Sequence, residues 1–471
     1  MTNALKTRPL VRLVLMVLGV LAVVVPALVM RNFTVDDALI PIRYARHLRE
    51  GLGYRFDPSG PSTDGVTPLP WAFLLAPLSG GTALDALARA KWLGALGVAL
   101  AGGALGLGAA DLAKGDRTRI AAAAVGLVVL GLAFPVGAYA ASGMETGLAT
   151  ALATLAAVTA SRRRLVATSL LAGLAASLRP ELVMWSATLA LGVAVLEARW
   201  KSAAIAFGLS IAPFALCVAL RLIFFGRPVP LSVLAKPSDL SHGVTYAAAA
   251  ALVLLTPLLV IAPLALRRGA PIARVLVAAF VVHLVAVSLA GGDWMPYARL
   301  VVPVAPSLVL AFVDLSSLSK PAWNGARALA AIVLGVLVAT NAAPAGRHVG
   351  RDRAELVERA KPLLADCKTI AALDIGWVSA ASDARIVDLA GLTDPAIAVL
   401  PGGHTSKRVD TSMLLDRGVD TVLVYSETRA VEWRLLRSDL FASRFAREAE
   451  IPFGTRGASY AVYRRRAPSA Q

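Results

Sequence analysis

The sequence is poor in the side chains that build metal centres and disulfide frameworks. It has 2 cysteines and 5 histidines in 471 residues, and none of them has the spacing of a His/Cys metal site. Cys217 falls inside an apolar run and Cys367 in the C-terminal region, so a disulfide between them is not expected. There is no Walker motif, and no GxGxxG follows a predicted strand, which argues against a nucleotide site.

Charged residues are scarce as well. They make up 16% of the chain, whereas 57% is hydrophobic and the mean hydropathy is +0.68. Repeated apolar runs approach the roughly 20 residues that cross a bilayer, which predicts a polytopic α-helical membrane protein. We predict eleven transmembrane helices, near 10–30, 90–110, 119–139, 144–160, 165–179, 181–197, 203–224, 246–266, 273–290, 299–317 and 325–343.

The net charge of +17 would suggest a nucleic-acid partner in a soluble chain, but here it lies mostly in the loops of the apolar part. With a cytoplasmic N-terminus, thirteen basic residues fall in later cytoplasmic loops and about four in the opposite loops. The positive-inside rule therefore predicts this orientation, with the C-terminal region outside the membrane. We expect membrane lipids as partners and no nucleic acid.

Two apolar stretches need separate interpretation. Thr67–Gly81 is short and contains three prolines, so we predict a helix that lies on or dips into the outer leaflet, not a span. The first apolar run lacks a small-residue cleavage site and ten more runs follow, so we predict a retained first helix instead of a signal peptide.

The sequence divides into two predicted domains. Residues 1–344 form the transmembrane domain, with a first outer loop at 31–89, and residues 345–471 form a small α/β domain outside the membrane. In the second domain, three short apolar segments read as strands separated by helical stretches: Thr369–Gly376, Ala384–Leu392 and Asp420–Ser426.

Ionisable residues near the ends of apolar runs are the candidate functional residues, because charge at membrane depth is costly. Taken singly, each of them could be an interfacial cap or a charge that snorkels to the interface. On the predicted outer side they gather on one face, which favours a site. The candidates for donor phosphate or substrate binding are Arg43, Glu145, Arg179, Glu181, Lys236, Asp293 and Arg299.

Asp36 and Asp37 directly follow the first apolar run. Thr34 could be the N-cap of the next helix with Asp37 at the third position, and Gly51 could end that helix. Adjacent helical residues point about 100° apart, so the two acids cannot serve one hydroxyl equally. We expect one to be a catalytic base and the other to cap the helix or hold the acceptor, with Asp36 slightly favoured as the base.

The order of "DDALIPIRYARHLREGLGYRFDP", "DGVTPLPWAFLLAPL", "SGMETGLAT", "LRPE", "GGDWMPYARLVVPVAP" and "VDLAGLTDP" resembles the GT-C superfamily of polyprenyl-phosphate-sugar-dependent glycosyltransferases. The nearest resemblance is to terminal β-(1→2)-arabinofuranosyltransferases. It implies a cavity at the outer face of the bacterial inner (plasma) membrane and an acidic base in the first outer loop, which corresponds here to Asp36 or Asp37. It also implies an inverting transfer to a cell-envelope glycan or lipid acceptor.

The residues suit that chemistry. A base has to take the proton of the acceptor hydroxyl, and cations have to balance the phosphate that leaves. Arg43, Arg179, Lys236 and Arg299 are the candidate cations, and Pro228–Lys236 is a candidate gate for the prenyl chain. Two acids could also hold Mg²⁺ or Mn²⁺ through oxygen ligands, so metal dependence stays open, as do the sugar and the acceptor.

A second class of protein fits part of the pattern. Secondary transporters and lipid flippases also place ionisable residues in membranes, but typically with inverted repeats and charges near the midplane. In this sequence the two halves show no matching interrupted segments. Release of polyprenyl phosphate would separate a transferase from a transporter or from a non-catalytic scaffold or sensor.

Overall fold

The computed structural model describes residues 8–197, 200–236, 239–255, 268–454 and 457–467. The chain divides into two compact units. Unit 1 consists of Met1–Phe33, Lys91–Cys217 and Ser238–Arg347. Unit 2 consists of Thr34–Ala90, Val218–Pro237 and His348–Gln471. The first outer loop, which we assigned from sequence to the transmembrane domain, thus belongs to the same compact unit as the C-terminal region.

Apolar helices make up unit 1. Their α-helical segments are Pro9–Val29, Ala83–Ala113, Arg117–Leu132, Phe134–Ala140, Thr146–Ser161, Leu165–Leu178, Val183–Leu196, Trp200–Phe225, Leu240–Ala250, Pro271–Leu289, Ser307–Leu315 and Pro321–Ala342, of which the second and the eighth also contribute residues to unit 2. Short 3-10 turns lie at Pro180–Leu182, Val302–Val304, Ser316–Leu318 and Ala343–Gly346, and a π-helical turn lies at Ala251–Leu255.

Within the described residues, five helices are long and apolar enough to cross a membrane, or six if one bent pair counts as a single span. The bent pair is Arg117–Leu132 with Phe134–Ala140, at 63°. The chain thus has the helices of a polytopic membrane protein. The predicted count of eleven is not reached, because the helices at the other predicted spans have 10 to 17 residues. The predicted span at 246–266 lies partly outside the described residues.

The first helix packs closely on the helix Ala83–Ala113 through glycines. A β-carbon at Gly19 would collide with the backbone of Gly102, and one at Gly106 would collide with the backbone of Leu15. Small residues at such crossings let the two helix backbones approach, which is how helices associate where lipid offers no hydrophobic driving force.

Unit 2 contains a five-stranded sheet with the order β2-β1-β3-β5-β4. Its strands are β1 Thr369–Ala372, β2 Arg385–Asp388, β3 Thr421–Tyr425, β4 Phe445–Phe453 and β5 Ala458–Arg465. The first three are parallel, with Ile370 opposite both Ile386 and Thr421, and the last two add antiparallel pairs. The three predicted strands are confirmed, whereas the β4–β5 hairpin was not predicted.

Short helices surround the sheet in unit 2. The C-terminal ones are Val349–Leu364, Ile375–Ala381, Pro395–Ala398, Thr411–Asp416, Ala430–Leu436 and Asp439–Arg444. The earlier segments supply a 3-10 turn at Asp36–Ala38 and the helices Leu39–Arg49, Leu69–Leu75 (continued by the 3-10 turn Ala76–Leu78) and Leu231–Ala235. The segment Thr67–Gly81 is therefore a short helix of ten residues, Leu69–Leu78, which agrees with the prediction that it is not a span.

Candidate functional site

The carboxylate of Asp36 caps a helix of the α/β part of unit 2. Its Oδ2 accepts a hydrogen bond from Gly376 N at 2.8 Å and its Oδ1 one from Trp377 N at 3.0 Å. These amides are the second and third of the helix Ile375–Ala381, the positions that an N-cap side chain normally satisfies. The residue at the N-cap itself, Asp374, makes no such bond with its side chain. Asp36 therefore replaces the local cap from about 340 residues away.

The capping box predicted around Thr34 and Asp37 is wrong in its placement. The chain first forms the 3-10 turn Asp36–Ala38, so the α-helix begins only at Leu39 and its N-cap is Ala38, without a side-chain cap. The predicted end is confirmed: Gly51 follows this helix with φ +77°, and its amide bonds back to Leu48 O. Glycine suits this left-handed position because it has no β-carbon.

Charged and hydroxyl groups surround the Asp36 carboxylate. Asp374 accepts from Arg429 Nη1 at 2.8 Å and from the hydroxyl of Tyr460, and Arg353 Nη1 donates to the same hydroxyl at 3.4 Å. We call Asp36, Arg353, Asp374, Arg429 and Tyr460 the Asp36 cluster. Burial raises the pKa of Asp36 to about 6, Arg353 opposes this rise, and the neighbouring Asp374 and Asp37 add to it.

Asp37 has a different environment from its neighbour. Its Oδ2 lies 4.0 Å from Lys236 Nζ, the outer limit of an ion pair, and its side chain is 26% exposed. Lys236 follows the short helix Leu231–Ala235, and its own side chain is 21% exposed. A carboxylate and an ammonium group thus face each other at the surface of unit 2 without a tight contact.

Arg43 has a structural environment. The side chain is buried and donates to four carbonyl oxygens, those of Phe56, Ser382, Asp383 and Ala384. Its guanidinium group also lies over the Phe56 ring, 5.1 Å from the centroid. Because its donors serve carbonyls of the loop and of the turn before β2, Arg43 is poorly suited to hold the donor phosphate.

The first outer loop also completes the edge of the sheet. Asp57 Oδ1 accepts from Ile386 N at 3.0 Å, which occupies a main-chain donor of the edge strand β2. An unpaired strand edge is otherwise a template for association. Burial raises the pKa of Asp57, which its bond from Ile386 and the charge of Arg43 partly offset.

The candidate gate Pro228–Lys236 is anchored within unit 2. Leu231 N donates to Asp64 O at 3.0 Å, and Ser232 Oγ lies 2.8 Å from Thr67 Oγ1. The buried Asp64 carboxylate pairs with Arg221 Nε at 2.6 Å. These contacts hold the segment, and with it Lys236, against the loop between the helices Leu39–Arg49 and Leu69–Leu75.

A second group of charges lies in unit 1. Arg179 Nη1 is 2.7 Å from Glu145 Oε1, and its Nε and Nη2 are each 2.6 Å from Glu181 Oε1. Arg179 and Glu145 are buried, and Arg179 is the C-cap residue of the helix Leu165–Leu178. Pro180 then starts the turn that carries Glu181, so the break between two apolar helices places both charged residues together.

Arg299 and Asp293 form another charged pair of unit 1, on a strained loop. Arg299 Nε donates to Asp293 Oδ2 at 2.6 Å. Tyr297 and Ala298 have φ of +62° and +56°, a left-handed conformation that is uncommon for residues with a β-carbon. The pair contributes to the electrostatic environment of Arg179. We call Glu145, Arg179, Glu181, Asp293 and Arg299 the Arg179 cluster.

The charge balance of the Arg179 cluster bears on its chemistry. With every member ionised, three carboxylates outnumber two guanidinium groups, so an incoming phosphate would meet a net negative group. Buried pairs of this kind satisfy one another and position the elements that carry them. The geometry therefore favours a structural role for Arg179.

Metal ligands show no comparable grouping. Within the described ranges, no three His, Cys, Asp or Glu side chains come together in a way that could hold a metal ion. The acids of unit 2 are instead directed at backbone amides, at arginines and at Lys236.

Sequence reasoning missed the other members of the Asp36 cluster. They all lie in the C-terminal region, for which the sequence analysis predicted strands and helices but no site residues: Arg353, Asp374, Arg429 and Tyr460. One signal was present in the sequence, because Asp374 lies near the end of the predicted strand segment Thr369–Gly376, and ligand groups of parallel sheets gather at the carboxyl ends of strands.

Comparison with known proteins bears on the same region. Residues 350–463 match a family model described as "Domain of unknown function (DUF8728)". The matched range includes the four other members of the Asp36 cluster but neither Asp36 nor Asp37. No curated protein and no solved structure matches the chain.

Proposed function

We propose that the protein is a membrane glycosyltransferase that moves a sugar from a polyprenyl-phosphate donor to a glycan or lipid acceptor of the cell envelope, with Asp37 as the general base. The observation that carries the proposal is the Asp37–Lys236 pair. It combines an accessible carboxylate with an accessible ammonium group 4.0 Å away, directly after the first apolar helix. The resemblance of the sequence to GT-C enzymes supports the choice of donor, with arabinofuranosyl transfer as one instance.

Asp37 is a better base than Asp36 for a geometric reason. Both Asp36 oxygens accept backbone amides of the helix Ile375–Ala381, so taking up a proton would weaken those bonds. Among the described residues, Asp37 pairs only with Lys236, at 4.0 Å. A general base must come within hydrogen-bond reach of the proton it removes, and apo sites are often looser than their substrate complexes.

The proposed reaction is a single displacement. The acceptor oxygen forms a bond to the anomeric carbon while Asp37 takes the hydroxyl proton. The bond between the anomeric carbon and the phosphate oxygen breaks, and its electron pair leaves with polyprenyl phosphate. Attack opposite the leaving group inverts the anomeric centre.

Lys236 has the charge that the leaving phosphate requires. Its ammonium group offers three rotatable donors on a flexible stem, so it can turn from Asp37 to a phosphate when the donor binds. The loose 4.0 Å separation means that little would be lost in this exchange, since exposed ion pairs contribute at most about 1 kcal/mol.

Turnover by the purified protein tests the proposal. The protein in lipid nanodiscs is supplied with polyprenyl-phosphate-linked sugars and candidate acceptors, and released polyprenyl phosphate is measured. Release that depends on both the acceptor and Asp37 supports the transferase. Movement of the sugar lipid across a bilayer without release would overturn it in favour of a transporter or flippase.

The proposal also requires an orientation. Donor and acceptor would meet on the outer face of the inner membrane, with the N-terminus in the cytoplasm and the C-terminal region outside. A reporter that is active only in the cytoplasm should therefore be silent when fused after Gln471. An active fusion would contradict the orientation predicted from the basic loops.

A further inference from the structure

We infer that unit 1 carries a binding site for one anionic glycerophospholipid between the helices Arg117–Leu132 and Pro321–Ala342. A groove of about 340 Å³ lies between the first turns of these helices. Its wall is formed by small and apolar side chains together with Phe312 of a third helix, Ser307–Leu315. The inference is independent of the proposed glycosyl transfer.

Small residues create the groove. Ala121, Ala122 and Val125 line one side, and Gly325 and Ala328 line the other. A β-carbon at Gly325 would meet no atom within 4 Å, so the space beside this helix is open. Both helices belong to segments that are apolar enough to cross a membrane, where an apolar groove is filled by a hydrocarbon chain and not by water.

The mouth of the groove is polar and positively charged. Arg117 lines it, and the described residues give its guanidinium group neither an ion-pair nor a hydrogen-bond partner. A guanidinium fork binds a lipid phosphate through charge-assisted hydrogen bonds, and basic pockets between membrane helices are recognised lipid sites. An apolar groove ending at an arginine therefore suits a phospholipid with net negative charge.

Asn324 narrows the choice of head group. Its Nδ2 donates to Ser316 O at 2.8 Å, which fixes the orientation of the amide. Its Oδ1 is buried beside the groove and accepts no hydrogen bond from any described residue. A hydroxylated head group supplies both a phosphate for Arg117 and, after a small adjustment of the side chain, a donor for Asn324. Free polyprenyl phosphate has no alcohol hydroxyl group, and the groove is lined by residues of unit 1 whereas Asp37 and Lys236 belong to unit 2, so we assign the site to a hydroxylated glycerophospholipid such as phosphatidylglycerol.

Native mass spectrometry of the full-length protein, loaded with known amounts of phosphatidylglycerol, phosphatidylcholine or polyprenyl phosphate, tests the site. We expect the parent protein to retain one phosphatidylglycerol at least tenfold more tightly than either other lipid. Gly325→Leu should fill the groove and abolish this retention. Gly208→Leu is the matched control, since Gly208 also lies in an apolar helix and its β-carbon would meet nothing within 4 Å.

Arg117→Gln tests the charge separately, without filling the groove. It should remove the preference for phosphatidylglycerol over phosphatidylcholine, whereas Arg163→Gln, at an exposed arginine of another loop, should keep it. Two results would overturn the inference. One is equal phosphatidylglycerol retention by Gly325→Leu and Gly208→Leu, and the other is displacement of phosphatidylglycerol by equimolar polyprenyl phosphate.

Discussion

The Arg179 cluster of unit 1 and the adjacent acids Asp36 and Asp37 of unit 2 differ in how their charges are satisfied. In the Arg179 cluster of unit 1, the arginines contact carboxylates at 2.6 to 2.7 Å, and the side chains are mostly buried. In unit 2, Asp36 is equally well satisfied, by two backbone amides, but the adjacent Asp37 faces Lys236 at 4.0 Å. The loose pair, and not the tight network, has the freedom that substrate chemistry needs.

This comparison changes which residues are the best candidates for substrate binding and catalysis. From sequence, Arg43, Arg179 and Arg299 were candidate phosphate ligands on the same footing as Lys236, and Asp36 was slightly favoured as the base. A buried charge whose donors and acceptors are used has to lose those partners before it can bind a ligand, at a cost of several kcal/mol per ion. An accessible, weakly paired residue loses almost nothing. The position of an ionisable residue near the end of an apolar helix therefore does not show whether that residue has a structural role or is free to bind a substrate.

The largest expected effect is on turnover, from Asp37→Asn. The amide is nearly isosteric but cannot accept the proton, so we expect the rate to fall about 10²- to 10⁴-fold with donor binding retained. Initial rates of polyprenyl phosphate release and donor affinity should be measured together. Asp383→Asn, at an exposed carboxylate of the same unit, is the control. A parent rate in Asp37→Asn, with a large loss in Asp36→Asn, would restore Asp36 as the base.

Breaking the ion pairs of the Arg179 cluster should lower the free energy of unfolding and leave donor binding unchanged. Arg179→Gln leaves the buried Glu145 and the partly buried Glu181 without their cation, for which we expect a loss of about 3–5 kcal/mol in the free energy of unfolding. Arg447→Gln breaks an exposed pair with Glu450 and should cost less than about 1 kcal/mol. Denaturant titration in detergent measures both. If Arg179→Gln kept its stability but bound the donor weakly, the phosphate role predicted from sequence would hold.

Removing the charge of Lys236 should weaken the binding of the donor and leave the stability of the protein unchanged. Lys236→Gln loses one charge-assisted contact with the phosphate, worth about 1.5–3 kcal/mol, which corresponds to a roughly 10- to 100-fold higher Kd for the donor. Lys236→Arg should recover most of the affinity, and Lys368→Gln, at an exposed lysine of the same unit, should match the parent. Unchanged donor affinity in Lys236→Gln would remove Lys236 from the proposed site.

Much of the fold could be predicted from the sequence because its signals are local. Apolar runs located the helices of unit 1, and short β-branched segments located β1, β2 and β3. The β4–β5 hairpin was not predicted because its first strand, Phe445–Phe453, has three charged residues and only two buried ones, a composition typical of a surface segment. The eleven predicted spans include several helices of 10 to 17 residues, because hydropathy does not show where a helix ends, as at Arg179 before Pro180.

The site was harder to predict because its contacts are not local. Sequence reasoning selected Asp36 and Asp37 from their position after the first helix. Their surroundings differ because Asp36 accepts hydrogen bonds from Gly376 and Trp377, whereas Asp37 faces Lys236. Those contacts join residues about 200 to 340 positions apart, and a one-residue difference decides which acid meets the helix Ile375–Ala381. No periodicity in the sequence carries that information.

The smallest expected effect is the pH dependence that Asp36 contributes to stability. Burial raises its pKa from 3.8 to about 6, so between these values the folded protein holds a proton that the unfolded chain has released. The contribution of Asp36 to the free energy of unfolding should therefore decrease as the pH rises from about 4 to about 6, by roughly 1 kcal/mol per pH unit. Other buried acids titrate as well, and burial raises the pKa of Asp388 to about 7, so only the difference between two proteins isolates Asp36. Asp36→Asn has no charge to bury and should show a flatter dependence than the parent, measured by unfolding midpoints at several pH values. Asp383→Asn should follow the parent curve. Parallel curves for the parent and Asp36→Asn would mean that the Asp36 carboxylate is not held in the buried, amide-bonded position that separates it from Asp37.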